Sequence, residues 1–342
     1  MKPARNLFPR IVDRDNLRLA FYRAQRGKRD RIDVRTFAAN LEDNLQLLSR
    51  DLTAGYVPLD QPAQFEIRDP KPRLITAPSF RERVLHHAIM NVCEPVFEQW
   101  LIHDTYACRV GKGRIAALHR AQSFSRRAKY ALKLDMRKYF DSIPHARLQR
   151  LLRRRIADAS LLNLFDQIIS AYATEPGRGL PIGSLTSQHL ANFYLGHFDR
   201  WVKEENRCRF YLRYMDDCAV WADSRAELRD LAERIALFLK TQLGLTPRQP
   251  ACIYPTTCGI ELLGCRILPT HLALNERSRR RYRKKMTQLE ADFAHGMFSD
   301  QELQQRATSL TAFTWSGGVK SWHYRSRVVQ ELLVDDQEAR TG

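Results

Sequence analysis

Apolar residues recur at helical spacing early in the chain. Leu17, Ala20, Phe21 and Ala24 share one face. After a basic break at 27–31 (GKRDR), Phe37, Leu41, Leu45, Leu48 and Leu52 continue the stripe until Gly55 and Pro58 stop it. Residues 64–76 (QFEIRDPKPRLIT) predict a hairpin turning near Asp69-Pro70, and 79–101 predict a helix through Val84, Leu85, Ala88, Ile89, Val92 and Val96. YALKLD (130–135) alternates as a strand, and 145–172 reads as helical. A Gly/Pro-rich bend (176–183) precedes a helix over 184–204. Two strands around a tight turn are expected at 209–222, an amphipathic helix at 224–243, and short strands near 252–254 and 259–268. From 276 onward the pattern is helical, with a break at Gly317-Gly318. Helices interspersed with antiparallel strand pairs predict an α+β fold.

Charge sharpens this picture. The 342 residues carry 56 Lys plus Arg against 38 Asp plus Glu, a net charge of +18. Such a surface suits a polyanion, nucleic acid before an anionic membrane. A run of nine residues, Arg277-Ser-Arg-Arg-Arg-Tyr-Arg-Lys-Lys285, holds seven of the cations. On a helix they cover most of the circumference and cannot all face a core; Arg279, Arg280, Arg283 and Lys284 are candidate phosphate contacts. Trp315 and Trp322 could stack on sugars or bases, or pack in a helical core. No apolar run is long enough to cross a membrane, and the first residues lack the apolar stretch of a secretory signal. Seven scattered cysteines form no zinc spacing and read as reduced thiols of a cytoplasmic protein.

One stretch resists a purely structural reading. YLRYMDDCAVW (211–221) sets Asp216 and Asp217 side by side in an apolar, aromatic run. Turns favour Asp, yet the flanking residues leave little room for a solvated loop. Two adjacent carboxylates repel unless a cation neutralises them, and a hard divalent ion would do so through oxygen ligands. Asp135, at the end of the alternating strand, is the best further ligand. Asp135 and Asp216 would hold two Mg2+ ions suited to displacement at phosphorus, with Asp217 an outer ligand or a source of field. Asp141 is a weaker rival, better suited to a turn or N-cap.

These residues resemble a known family. Tyr214-Met-Asp-Asp217 looks like the YxDD box of reverse transcriptases. Asp135 with Phe140 resembles the first palm motif, GLPIGSLTSQHLANFYL (179–195) the second, and Leu262-Leu263-Gly264 the primer grip. Pro70-Lys-Pro-Arg-Leu-Ile75, Arg81-Glu-Arg-Val84 and Tyr106-Ala-Cys-Arg109-xx-Lys112-Gly113 resemble the fingers motifs. The likeness runs in order from about residue 15 to about 325. Where most members have Gln-Gly-xxx-Ser-Pro, this chain has Ile182-Gly183-Ser-Leu-Thr-Ser187-Gln188. That substitution, and Thr314-Trp-Ser-Gly-Gly-Val-Lys-Ser-Trp322, resemble the reverse transcriptases of diversity-generating retroelements.

The resemblance implies a right-hand polymerase. It would comprise an N-terminal extension and fingers (1–125), a palm (126–268, with part of the fingers at 145–180), and a helical thumb with a tail (269–342). It implies RNA-directed synthesis of cDNA from dNTPs, error-prone at template adenines. Its partners would be the template RNA, the primer duplex and a small basic accessory variability protein. Lys71 and Arg73 would meet the triphosphate, Phe140 would lie under the sugar, and Ile182, Gly183 and Gln188 would face the nucleotide or template. Arg81 and Arg109 would face the template strand. Ile cannot hydrogen-bond as Gln can, so a looser selection at the templating base is expected. Arg248, in the region where many polymerases place a Lys, is a poor proton donor. Enzymes of group II introns, retrons, CRISPR-associated or phage-defence systems remain alternatives, as does a non-catalytic RNA-binding scaffold.

Overall fold

The computed structural model describes residues 2–68, 72–248 and 251–315. In chain order it begins with α1 (Phe8–Val12), α2 (Arg14–Ala24), α3 (Ile32–Ala39) and α4 (Leu41–Thr53). Strands β1 (Ala63–Arg68) and β2 (Pro72–Ala77) lead to α5 (Phe80–Trp100), α6 (Arg114–Ser125) and β3 (Tyr130–Leu134). Then come α7 (Tyr139–Ser142), α8 (His145–Arg153), α9 (Ala159–Ser170), α10 (Leu185–Arg200), β4 (Phe210–Tyr214), β5 (Asp217–Ala222) and α11 (Arg225–Phe238). Short strands β6 (Cys252–Pro255), β7 (Ile260–Leu262), β8 (Cys265–Ile267) and β9 (Leu272–Leu274) precede α12 (Glu276–Ala294) and α13 (Asp300–Trp315).

The fold has two compact units interleaved in sequence. Segments within 1–109, 135–207 and 234–248 make one, and segments within 110–134, 208–233 and 249–315 the other. They cut across the expected divisions at 125 and 268.

The first unit is built on α5. Ser79 and Glu82 form a capping box at its start: the Ser79 hydroxyl accepts from the Glu82 N–H. The predicted stripe of α2 is buried, with Phe21 stacked on Phe37 at 5.9 Å and edge-on to Phe80 at 6.0 Å. The stripe is interrupted once more than expected. Asn40, at φ −125° and ψ 49°, leaves the helical region and separates α3 from α4. The single helix expected over 145–172 is likewise two, α8 and α9. Asp158 breaks it because its carboxylate is spent on backbone N–H groups of Leu7, Phe8 and Leu161, tying α1 to the start of α9. On the other side α10 crosses α5 closely, with Phe97 and Phe193 at 5.2 Å.

In the second unit, a four-stranded antiparallel sheet runs β4-β5-β3-β6. Leu132 pairs with Val220 on one side and Ile253 on the other. Helix α6, not foreseen from the sequence, covers it: Phe124 meets Phe210 at 5.2 Å and Trp221 at 5.4 Å, and the Trp221 indole donates to Ser125 Oγ at 3.0 Å. A separate meander, β7-β8-β9, adds one strand to those expected. Its two-residue turn, Leu263-Gly264, has φ of +51° and +78°, as a type I′ hairpin requires. Arg114 Nε braces that turn by donating to the Leu263 carbonyl at 2.9 Å. Beyond it, Asn275 caps the basic helix α12 through the Ser278 N–H.

Gly196 lets α10 approach α5. A Cβ there would lie 2.6 Å from Trp100 Nε1. Gly196→Ala should therefore lower the denaturant midpoint by an equivalent of roughly 1–3 kcal/mol through overpacking, although alanine is the better helix former by about 1 kcal/mol. A midpoint at or above the parent's would contradict this close crossing.

Candidate active site

The tight turn in the second unit is a two-residue loop, because Tyr214 pairs directly with Asp217. Met215 and Asp216 make the turn, and Met215 takes φ +55°. A non-glycine residue there carries strain of order 1–3 kcal/mol, which persists only when surroundings hold it. Arg213 does part of that. It is fully buried, and Nη1 donates to the Met215 carbonyl at 3.0 Å. The pattern of YLRYMDD contained this cation, but alternation alone gives a face and no partner. Asp217 begins β5, half-buried, with Oδ1 3.8 Å from Lys133 Nζ on β3.

Asp135 directly follows β3 and belongs to the first unit. The chain there stops pairing as β3 and meets 246–248 instead. Met136 bridges Pro247, Arg137 N donates to the Thr246 carbonyl at 3.0 Å, and Arg248 N donates to the Asp135 carbonyl at 2.7 Å. Arg248 Nε also lies 3.4 Å from Asp135 Oδ2. Arg248 is thus an electrostatic partner of the carboxylate. Asp141 does not cap α7, since Lys138 holds that position in the left-handed region. Asp141 lies inside the single turn, and its carbonyl accepts from Thr174 Oγ1 at 2.7 Å.

Three of the other candidate segments meet within the first unit. Phe140, half-buried, offers its carbonyl to Leu180 N at 2.9 Å, and Thr76 N on β2 donates to the Ile182 carbonyl at 2.8 Å. The 180–183 loop therefore bridges α7 and the end of β2. Gly183 takes φ +121°, and a Cβ there would lie 2.8 Å from the Thr76 carbonyl, so only glycine fits. Ile182 is half-buried, and Arg73 is exposed on β2 opposite Ile67. Gln188, one turn into α10, accepts from Cys108 Sγ at 3.8 Å.

Beneath this loop lies a polar run the sequence reading missed, although Ser79-Phe-Arg-Glu82 carries the capping-box spacing. His86 Nδ1 is 3.1 Å from Ser184 Oγ, and His86 Nε2 is 3.4 Å from Glu82 Oε1. Burial pushes the Glu82 carboxyl up to about 7, with the charge of Asp60 adding to it. Burial drives the His86 imidazole down to about 3, and the positive charges of His87 and Arg83 add to that.

Two arginines have other work. Arg109 is spent inside its own unit: Nε donates to Glu98 at 2.8 Å, and Nη1 donates to the carbonyls of Ile102 and Thr105, leaving the side chain 7% exposed. It clamps the end of α5 and is not available to a template strand. Arg81 is paired with Asp51 and mostly buried. Arg279, Arg280, Arg283 and Lys284 are exposed on α12, while Ser278 and Leu289 face inward; Arg280 is paired with Glu276. Lys71, the hairpin turn, Gly317-Gly318, Trp322 and the Trp315 side chain lie outside the described residues. Among the described residues, no cluster of three or more His, Cys, Asp or Glu encloses a metal site, and no helix is long and apolar enough to cross a membrane.

Comparison with known proteins places these motifs. Residues 66–247 match the family described as Reverse transcriptase (RNA-dependent DNA polymerase). The Escherichia coli protein YkfC is 28% identical over 51% of this chain and 49% of its own length. Nuclear intron maturase 4, mitochondrial, of Arabidopsis thaliana is 26% identical over 52% of this chain and 22% of its own. The group II intron-encoded protein LtrA of Lactococcus lactis is 25% identical over 39% and 23%. The chain thus spans about half or less of these relatives. A Candida albicans telomerase structure overlaps 63% of this chain and 45% of its own, at 12% identity and a TM-score of 0.46.

Glu82 gives a pH signature. Its raised value means that the folded chain keeps a proton the unfolded chain releases above its ordinary 4.5. The stability it contributes is full below 4.5 and is lost as pH rises through about 7. Glutamine keeps the capping box and has no proton to lose. Stability of Glu82→Gln relative to the parent should therefore rise between these limits and level off above them. His86 has the opposite sign, its contribution fading as pH falls from 6.5 toward 3, but it is common to both chains. Denaturation series from pH 4 to 8 measure the difference; a flat difference would refute the burial of Glu82.

Proposed function

Because the chain belongs to the reverse transcriptase family, we propose that it extends a primer 3′-hydroxyl with dNTPs on an RNA template, and that it does so for a diversity-generating retroelement. The observation carrying the catalytic part is the Tyr214-Met-Asp-Asp217 hairpin, whose two-residue turn sets Asp216 beside Asp217. In this reading fingers, palm and thumb follow the divisions at 125 and 268, and the protein works in the cytoplasm.

Asp135 and Asp216 are the proposed holders of two Mg2+ ions, with Asp217 beside them. The residues fit that ion in donor type, since their donors are hard carboxylate oxygens; Arg248 and Lys133, which stand near Asp135 and Asp217, would share those oxygens with it. Bound Mg2+ would supply activation of the primer hydroxyl and charge neutralisation at the phosphates. Lys71 and Arg73 bind the triphosphate, Arg73 in a bidentate fork. Phe140 lies under the sugar and disfavours a 2′-hydroxyl. Gly183 and Gln188 face the template–nucleotide pair. Arg279, Arg280, Arg283 and Lys284 track duplex phosphates. A small basic accessory protein is the proposed partner.

Ile182 supports the retroelement assignment. A pocket relying on shape separates close alternatives by only about 1–3 kcal/mol, where hydrogen bonding separates them much further. A second reading, a group II intron-type enzyme, is favoured by the intron maturase and LtrA similarities. The mutation spectrum of the cDNA distinguishes the two, since only the retroelement enzyme is expected to err chiefly at adenine.

Asp216→Asn should abolish primer extension on poly(rA), by on the order of a thousandfold or more, in keeping with loss of a group that stabilises the transition state. Template affinity should stay unchanged. Equal extension by parent and variant would end the catalytic reading. Ile182→Gln should lower misincorporation opposite adenine in sequenced cDNA, and an unchanged spectrum would remove Ile182 from nucleotide selection.

A further inference from the structure

Ser184 stands at the N-cap of α10, where a serine hydroxyl ordinarily accepts from a backbone N–H of the first turn. Here it makes no such bond. Its Oγ lies 3.1 Å from His86 Nδ1 and 3.0 Å from Thr186 Oγ1. Ser184 is 3% exposed, His86 1% and Thr186 0%. The far ring nitrogen of His86 lies 3.4 Å from Glu82 Oε1 but makes no hydrogen bond among the described residues. A buried run of Thr186, Ser184 and His86 therefore links the first turn of α10 to α5.

That run ends one residue after Gly183. On its other side the loop is tied by the Thr76 N–H donating to the Ile182 carbonyl. Between the two ties Gly183 sits at φ +121°, with no space for a Cβ. One backbone bond to β2 and one side-chain bond to α5 thus fix Ile182-Gly183. Helix capping would have satisfied Ser184 locally, yet its hydroxyl is committed to another element.

We propose that His86 is a positioning residue for nucleotide selection, holding the Ile182-Gly183 loop in register through Ser184. The proposal rests on the reading of the chain as a template-directed DNA polymerase. Neutral His86 has one donor and one acceptor, so the run works in two directions. In one tautomer Nδ1–H donates to Ser184 Oγ and Ser184 donates to Thr186; in the other Ser184 donates to Nδ1 and Thr186 donates to Ser184. Ser184 is held in both.

The test is single-nucleotide incorporation on a primed RNA template by the full chain, with thermal denaturation of each variant alongside. The variants are Ser184→Ala, His86→Leu, their combination, and His86→Asn, whose amide can reach the Nδ1 position. Ser184→Ala and His86→Leu should each raise KM for the correct dNTP about tenfold, the effect of losing roughly one hydrogen bond in the bound state. They should also narrow the ratio of correct to incorrect incorporation, with kcat changed far less. The double variant should be no worse than the worse single, as expected for two members of one network, and His86→Asn should recover most of the loss. A purely structural role would instead lower the melting temperature and kcat alike for every nucleotide. Should His86→Leu fail to fold, Ser184→Ala and His86→Asn decide the matter. Unchanged KM and fidelity in folded variants, or additive effects, would overturn the proposal. Were the parent itself no more active than Asp216→Asn, the polymerase reading would fail instead.

Discussion

Carboxylates at the ends of apolar strands are stabilised by positive charge placed beside them. In this protein that charge is supplied within each unit. Lys133 stands 3.8 Å from Asp217, and Arg248 stands 3.4 Å from Asp135 while its backbone N–H holds the Asp135 carbonyl at 2.7 Å. Fully buried Arg213 braces the turn that carries Asp216. Much of the neighbouring chain is arranged around these requirements. The strand ends after Leu134 because residues 135–137 are claimed by 246–248, and Met215 accepts an unfavourable φ so that a two-residue turn can present Asp216. An Arg at 248, permanently charged, suits such electrostatic work and not proton donation.

Elements whose partners lie at helical or strand spacing were legible from the sequence. The stripes of α2 and α4, the hairpins at 63–77 and 210–222, and the long helices α5 and α10 all follow their periodicities. Elements decided by distant hydrogen bonds were not. Asp158 breaks an apparently continuous helix because its carboxylate serves backbone groups about 150 residues away. From the sequence, Arg109 is expected to face the template strand because its segment resembles a fingers motif. Its real partners, Glu98 and two carbonyls, follow from how the chain turns after α5. In YALKLD, alternation placed Lys133 on a face but could not name Asp217 as its neighbour.

The 180–183 loop shows the same division. Its glycine was legible as a motif position, but the reason for it is the Thr76 carbonyl, which leaves no room for a side chain. Likewise Ser184 read as a helix start, which it is, while its hydroxyl serves a histidine nearly a hundred residues away. Membership of the reverse transcriptase family covers residues 66–247. Ile182 sits inside that span, and the loop that carries it is tied by hydrogen bonds to β2 and α5.

The central proposal is that Asp135 and Asp216 hold two divalent ions, with Asp217 beside them. Counting those ions tests it most directly. The full chain, with a primed RNA template, a chain-terminated primer and the next dNTP, can be titrated with Mn2+ and followed by electron paramagnetic resonance. The account predicts two bound ions beyond those held by template and nucleotide alone, and their loss in Asp216→Asn. No protein-dependent binding, with DNA synthesis persisting in excess chelator, would contradict it.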